Sequence, residues 1–296
     1  MTRTRVSQPL LPNLHALHPI IWSFALSPRE IPLLLLPPHV YPYLVLKILV
    51  PLKRVPDPDT RIRLKSDGSG VDFDGVKFAV NPFDAIALEE ALRIKENSGE
   101  AEILVVSVGG EECVDQLRVG LAMGADRAML IKASTDFDPL AIAKILQAVY
   151  RGEKPAFVLM GKQAIDDDSN QAGQMLAALL GIGQATFVSK LELLDSNSKA
   201  RCGRETDAGI ETMTVTLPAI ITTDLRLNEP RYVSLPGIMK AKRKPLEEIA
   251  LSDLNLSVTS RTEVLKLERP PQRKAGVRVK TVAELVDKLK HEAKVL

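Results

Sequence analysis

Residues 161–175, GKQAIDDDSNQAGQM, place Asp166, Asp167 and Asp168 side by side between an apolar run and a helix of small residues. Three adjacent carboxylates repel one another, and three kinds of chemistry could justify them. One or two could hold Mg²⁺ together with a substrate phosphate, but no second cluster of ligands lies nearby. Asp168 or Ser169 could cap the helix that follows, since an acid near a helix N-terminus gains ~0.3–1 kcal/mol. Capping needs only one acid. Alternatively, the free N–H groups of a helix N-terminus could receive a phosphate. Asn170 and Gln171 would then act as side-chain donors, and one carboxylate would accept from a ribose hydroxyl, as acids do in dinucleotide folds.

Other signatures of chemistry are missing. The chain has no GxxxxGK[ST], no GxGxxG after a strand and no GxSxG. Of its four histidines three lie in the first 45 residues, and the fourth, His291, is near the C-terminus. Cys113 and Cys202 are far apart, with no metal-ligand spacing, and read as core residues. General acid–base work at neutral pH usually falls to histidine or tuned carboxylates. No catalytic residue and no metal site is expected, and any chemistry belongs to a cofactor.

The elements that position the aspartates follow from hydrophobic pattern. Apolar runs at 45–52, 101–110, 128–133 and 156–161 read as buried strands, and RIRLKSDGSGVDF (61–73) as two short strands around a turn. Between them, 81–97, 111–127, 138–152 and 170–181 read as helices. The first opens on Asn81-Pro82 with Asp84 able to cap, and the second stops at Gly124. Strands alternating with helices predict an α/β fold: a Rossmann-like parallel sheet flanked by helices. Ligands in such sheets bind beyond the carboxyl ends of the strands, which selects the loops at 51–58, 107–110 and 161–170. From about residue 185 the pattern changes to strands, predicting added antiparallel ones. Residues 225–249 are rich in breakers and bases. ERPPQRKAG (268–276) is extended by its prolines, and TVAELVDKLKHEA (281–293) reads as a helix with a capping box at Thr281 and Glu284.

Composition excludes several classes. A net charge of +2 and 4% aromatic residues argue against nucleic-acid binding. Residues 1–45 hold eight of the 20 prolines and a single acid, Glu30. Their IPLLLLPP run is too short to span a bilayer, so no membrane insertion is expected. They read as a disordered extension or upstream sequence outside the working protein. Their three arginines fit a mitochondrial presequence only loosely, because the prolines spoil an amphipathic helix. The expected organisation is an α/β nucleotide-binding domain over 46–245 and a C-terminal arm and helix over 246–296.

LKRVPDPD (52–59), NPFDAIALEEALRIKE (81–96), LAMGADRA (121–128), GKQAIDDDSNQAGQM and TTDLRLNEPRYVSLPGIMKAKRKPLEE (222–248) together resemble the β subunits of electron transfer flavoproteins. The resemblance runs from about Leu46 to the C-terminus, and is closer to the branch serving acyl-CoA dehydrogenases than to the flavin-bifurcating branch. It implies a non-enzymatic electron carrier that pairs with a larger α subunit. The heterodimer would carry one FAD, held mostly by α, and one AMP buried in β. Electrons would pass from acyl-CoA dehydrogenases and related flavin dehydrogenases to a membrane quinone oxidoreductase. The compartment implied is the bacterial cytoplasm, or the mitochondrial matrix in a eukaryote.

The resemblance also implies site residues. The AMP loop would be Gly161, Lys162, Gln163, Ala164, Ile165, Asp166, Asp167, Asp168, Ser169, Asn170, Gln171 and Ala172. Asp167, Asn170 and Gln171 would surround ribose and phosphate. Pro51 and Val108 would border the adenine. Asn81, Pro82, Phe83 and Asp84 would close the pocket, with Phe83 also reaching towards the flavin ring. Leu235, on a Ser-Leu-Pro-Gly turn, would anchor dehydrogenase partners together with Pro236, Ile238 and Met239, rimmed by Lys240, Lys242 and Arg243. The bland alternative is a leucine packed on its own core. The C-terminal arm would lie on the α subunit. Three positions depart from the family pattern: Ala172 replaces a threonine of some relatives, Pro58 a tyrosine near the flavin, and Ala208 a glycine. A bifurcating-type subunit with a second FAD in place of AMP, and a stand-alone adenine-nucleotide-binding protein, are the alternatives.

Overall fold

The computed structural model describes residues 46–133, 137–271 and 275–296. The expectations for residues 1–45 lie outside the described residues.

In chain order the elements are β1 (Leu46–Pro51), β2 (Arg54–Pro56), β3 (Arg63–Leu64), β4 (Val71–Asp72), β5 (Phe78–Val80), α1 (Pro82–Ser98), β6 (Ala101–Gly109), α2 (Val114–Met123), β7 (Arg127–Lys132), α3 (Pro139–Glu153), β8 (Phe157–Gly161) and α4 (Ala172–Leu180). There follow β9 (Gly183–Leu194), β10 (Lys199–Thr206), β11 (Gly209–Thr216), β12 (Ala219–Thr223), α5 (Leu235–Ala241), β13 (Leu246–Ala250) and α6 (Val282–Asp287). Nine strands form one sheet in the order β11-β10-β9-β12-β8-β1-β6-β7-β13. From β9 to β13 all neighbours are parallel, and β10 and β11 add an antiparallel extension at one edge. The ladders β2–β5 and β3–β4 form a separate excursion between β1 and α1.

The central strands are mostly apolar on both faces because both are covered. Ile48 and Val50 of β1 pack in a cluster with Leu88 and Leu92 of α1 and with Leu117 and Leu121 of α2. The alternating Leu49 faces the opposite cluster, with Ile145 and Leu146 of α3 and Leu176 of α4. β1 pairs β6 on one side and β8 on the other. The strand order therefore reverses at β1, and the crevice beyond the carboxyl ends of β1 and β8 is the topological switch point.

The run 210–224 is two strands broken at Leu217-Pro218, and its second half, β12, inserts between β8 and β9. Leu246–Ala250 pair with β7 as an edge strand, with Leu246 and Ile249 packed on opposite faces, so the sheet continues past residue 245. Beyond Val258 the described chain is almost wholly exposed, and α6 buries none of its residues. Thr281 caps α6, accepting from the Glu284 N–H at 3.2 Å; the Glu284 carboxylate accepts from the Lys280 N–H rather than closing the box on Thr281. Among the described residues no helix is long and apolar enough to cross a membrane.

Candidate functional site

The crevice is built around Asp84. Pro82 takes the first position of α1, where its fixed φ costs nothing, and this turns Asp84 inward. Asp84 does not cap the helix. Its Oδ2 accepts from the Lys53 N–H at 2.8 Å and its Oδ1 from the Gly161 N–H at 3.0 Å, tying the end of β8 to the residue two beyond β1. Burial pushes its carboxyl up to about 7, against the pull of these N–H donors and of Asn81. Gly161 must be glycine here, because a Cβ would lie 2.4 Å from Asp84 Oδ1 and 2.7 Å from Phe83 Cβ. Asn81 is buried; its Nδ2 donates to the Gln163 carbonyl at 2.9 Å and its Oδ1 accepts from the Ile165 N–H at 3.3 Å. Pro51 and Val108 stand at the carboxyl ends of the adjacent strands β1 and β6. The segment Asn81–Asp84 thus meets the loop at 161–165.

All three aspartates of the loop are engaged. Lys53 Nζ donates to Asp166 Oδ1 and Asp167 Oδ2, each at 2.9 Å, and Gln163 Nε2 donates to Asp168 Oδ1 at 2.8 Å. Burial would lower the Lys53 pKa, but the two carboxylates outweigh it and hold the ammonium above its ordinary value. Burial likewise opposes ionisation of Asp167, and the Ser169 N–H and Lys53 more than offset it. Among the described residues no cluster of metal-ligating side chains occurs. The capping expectation is corrected: α4 starts at Ala172, its N-cap is Gln171, and no side chain caps it. Asp168 and Asn170 instead take left-handed backbone, φ 50° and 49°, which Asp and Asn tolerate best among non-glycine residues. Gln174 Nε2 holds Asn170 Oδ1 at 2.7 Å, while Gln174 Oε1 is buried without a partner. The first N–H groups of α4, with no cap, retain their donor capacity.

A second concavity adjoins the crevice. Lys162 Nζ donates to Asp224 Oδ2 at 2.8 Å and lies 5.4 Å from the centroid of the Phe83 ring and 5.1 Å from that of Phe187. These residues, apart from Phe83, line a cavity of about 480 Å³ with Arg204, Thr206 and Arg226. Phe187 holds φ +59°, unusual for a bulky side chain, where the β9–β12 register shifts. Arg204 Nε is buried without a partner. Sequence reasoning singled out none of Lys53, Phe187, Arg204 or Asp224. Lys53 alone left a trace, as a charge ending an apolar strand.

The exposed face lies elsewhere. Leu235 opens α5 and is 78% exposed, so the reading of a leucine packed on its own core is excluded. The expected turn is a short helix, capped by Ser234, whose Oγ accepts from the Gly237 N–H at 3.1 Å. Pro236, Ile238, Met239, Lys240, Lys242 and Arg243 are all exposed beside it. Lys244 is not part of that rim: its Nζ donates to the carbonyls of Leu121 and Ala125 at the end of α2.

A family profile described as "Electron transfer flavoprotein domain" matches residues 70–254. The electron transfer flavoprotein subunit beta of Bradyrhizobium diazoefficiens is 58% identical over 251 residues, spanning 85% of this chain and 100% of that protein. The mitochondrial electron transfer flavoprotein subunit beta of Arabidopsis thaliana is 54% identical over 251 residues, 85% of this chain and 100% of its own length. The Homo sapiens electron transfer flavoprotein subunit beta is 48% identical over 249 residues, 83% of this chain and 97% of that protein. The chain belongs to the electron transfer flavoprotein β-subunit family. The profile match contains Asn81–Asp84, the whole 161–172 loop, β12 and α5. Cys113 and Cys202 are both buried, and burial pushes the Cys202 thiol up to about 11. His291 is exposed on the terminal helix.

Proposed function

We propose that this chain is the β subunit of a heterodimeric electron transfer flavoprotein, with a structural AMP in the crevice between β1 and β8. The supporting observation is the arrangement of the 161–172 loop at the switch point. A phosphate beside three aspartates would be repelled if they were unpaired. Here Lys53 binds two and offsets one of their charges, Gln163 hydrogen-bonds the third, and the uncapped start of α4 offers N–H groups suited to an anion. The buried, unpartnered Gln174 Oε1 adds an acceptor that a ribose hydroxyl or amino group could satisfy. Pro51 and Val108 supply apolar edges for adenine. The loop's carboxylates are engaged by Lys53 and Gln163, and in this reading the nucleotide is held and not turned over.

The residues present also fit a flavin held mainly by an α subunit. The flavin supplies the electron chemistry. This chain contributes a wall: Phe83, fixed by the Thr223 hydroxyl donating to its carbonyl at 3.1 Å, and Lys162, held by Asp224. Lys162 lines the 480 Å³ cavity together with Phe187, Arg204 and Arg226. The C-terminal arm, almost wholly exposed among the described residues beyond Val258, lies on the α subunit in this reading. Leu235 is the anchor for acyl-CoA and other flavin dehydrogenases, with Lys240, Lys242 and Arg243 steering their approach. Electrons leave to a membrane quinone oxidoreductase. The working compartment is the bacterial cytoplasm, or the mitochondrial matrix if the source is a eukaryote.

The test is reconstitution. Co-expressed with an α subunit, the chain should form a yellow 1:1 complex whose flavin is reduced by an acyl-CoA dehydrogenase and its substrate. A chain that stays monomeric and colourless beside a competent α subunit would overturn the reading.

A further inference from the structure

The exposed anchor needs a rigid mount, and the segment leading into its helix has no regular structure. Residues 224–234, between β12 and α5, form no helix or strand. Yet their ends are fixed. Downstream, Arg118 of α2 donates to the carbonyls of Ala241 at 2.7 Å and Lys244 at 3.0 Å, and Gly237 packs so close to the Ala122 carbonyl that a Cβ there would lie 2.6 Å from it. Upstream, one residue does most of the fastening. Arg231 Nε donates to Glu89 Oε2 at 2.7 Å and Nη2 to Glu89 Oε1 at 3.0 Å, while Nη1 and Nη2 reach Glu96 at 2.5 and 3.1 Å. The Arg231 N–H also donates to Glu89 at 3.2 Å. Glu89 and Glu96 stand two turns apart on one face of α1, and the Glu89 side chain is 4% exposed.

We propose that Arg231 is the positioning residue of the docking element. It ties the strand-to-α5 segment to α1, so that Leu235, four residues on, is presented at a fixed place relative to α1. This rests on the reading of Leu235 as the partner anchor. α1 is the helix whose first turn carries Phe83 and Asp84, so one rigid body joins the docking site to the cofactor crevice. The planar fork holds Glu89 bidentately while reaching Glu96, which fixes the geometry; an ammonium can bridge two carboxylates, as Lys53 does, without that fixed plane. Lesser bonds support the same mount. Asn228 Nδ2 donates to the Ile86 carbonyl at 3.1 Å and to Glu90 at 2.9 Å, and Arg93 donates to the Glu229 carbonyl at 3.3 Å.

The experiment uses the reconstituted heterodimer with Arg231→Lys and with the double variant Glu89→Gln/Arg231→Met, which leaves no unpaired buried carboxylate to burden the fold. Amide hydrogen exchange over 225–241 and steady-state reduction of the flavin by an acyl-CoA dehydrogenase are read together. The expected result is at least tenfold faster exchange in 225–234 and a KM for the flavoprotein raised about tenfold, with kcat at saturation and flavin content unchanged. Arg231→Lys should recover little of either. Unchanged exchange, full recovery by lysine, or loosened exchange with an unchanged KM overturns the proposal. Leu235→Ala in the same assay separates the two levels. If it raises KM while the Arg231 variants do not, only the positioning role fails; if neither does, the docking reading fails with it.

Discussion

Replacing Leu235 by alanine separates docking from folding. Fully burying a leucine side chain is worth ~1.5–3 kcal/mol. With 78% of Leu235 exposed, folding collects only about a fifth of that, ~0.3–0.7 kcal/mol by the same scale. For a domain of this size, about 2–4 °C of melting temperature accompanies each kcal/mol, so the fall should stay under about 3 °C. The remaining apolar surface is available to a partner pocket. Truncating a good anchor costs ~2 kcal/mol, or about 30-fold in affinity. The assay pairs thermal melting of the heterodimer with flavin reduction by an acyl-CoA dehydrogenase at varied flavoprotein concentration. A melting temperature lowered by more than about 6 °C with unchanged turnover per folded molecule would mean a buried leucine, whose loss costs ~2–5 kcal/mol, and would refute the reasoning.

Three other outcomes follow. Neutralising Lys240, Lys242 and Arg243 should slow association with the dehydrogenase and flatten its salt dependence, because rim charges steer more than they hold; an unchanged salt slope in stopped-flow reduction would contradict this. Asn170→Gly keeps left-handed backbone accessible while removing the side chain, so it should retain the fold but release adenine nucleotide faster; retention equal to wild type on repeated gel filtration would count against the loop. Asp84, raised to about 7 by burial, binds a proton in the folded state that the unfolded chain releases near its ordinary value of 3.8. Its contribution to stability is therefore present at low pH and lost as pH rises through about 7. Asp84→Asn should flatten denaturant stability over that window, while lowering it overall by about 1–3 kcal/mol for the lost N–H acceptor; identical pH slopes would refute the assignment.

The sheet and the crevice were legible because their signals are local. VLKILVPL and AEILVVSVGG declare buried strands, and the alternation with helices fixes their parallel pairing. The loop at 161–172 follows a strand and precedes a helix, which placed it at a carboxyl end before any geometry was known. What was hidden depends on distant partners. Lys53 meets Asp167 across 114 positions, and nothing near either residue announces the pairing. Asp84 had the spacing of a cap, but the close approach of Gly161 draws it into the strand ends instead. Asp168 and Ser169 precede the helix by too much: Asn170 turns left-handed first, and α4 begins later. Phe187 reads as an ordinary strand aromatic, and only the register shift against β12 reveals its backbone. Leu235 was ambiguous between core and surface until exposure decided it.

In the proposed heterodimer the crevice between β1 and β8 holds AMP, and a single flavin serves both subunits. Acid extraction of the purified complex, with chromatographic counting of adenine nucleotides and flavins, tests it most directly. One FAD and one AMP per heterodimer are expected, with the AMP lost first on Asn170→Gly. Two flavins and no AMP, or a complex with no adenine nucleotide beyond its flavin, would contradict it.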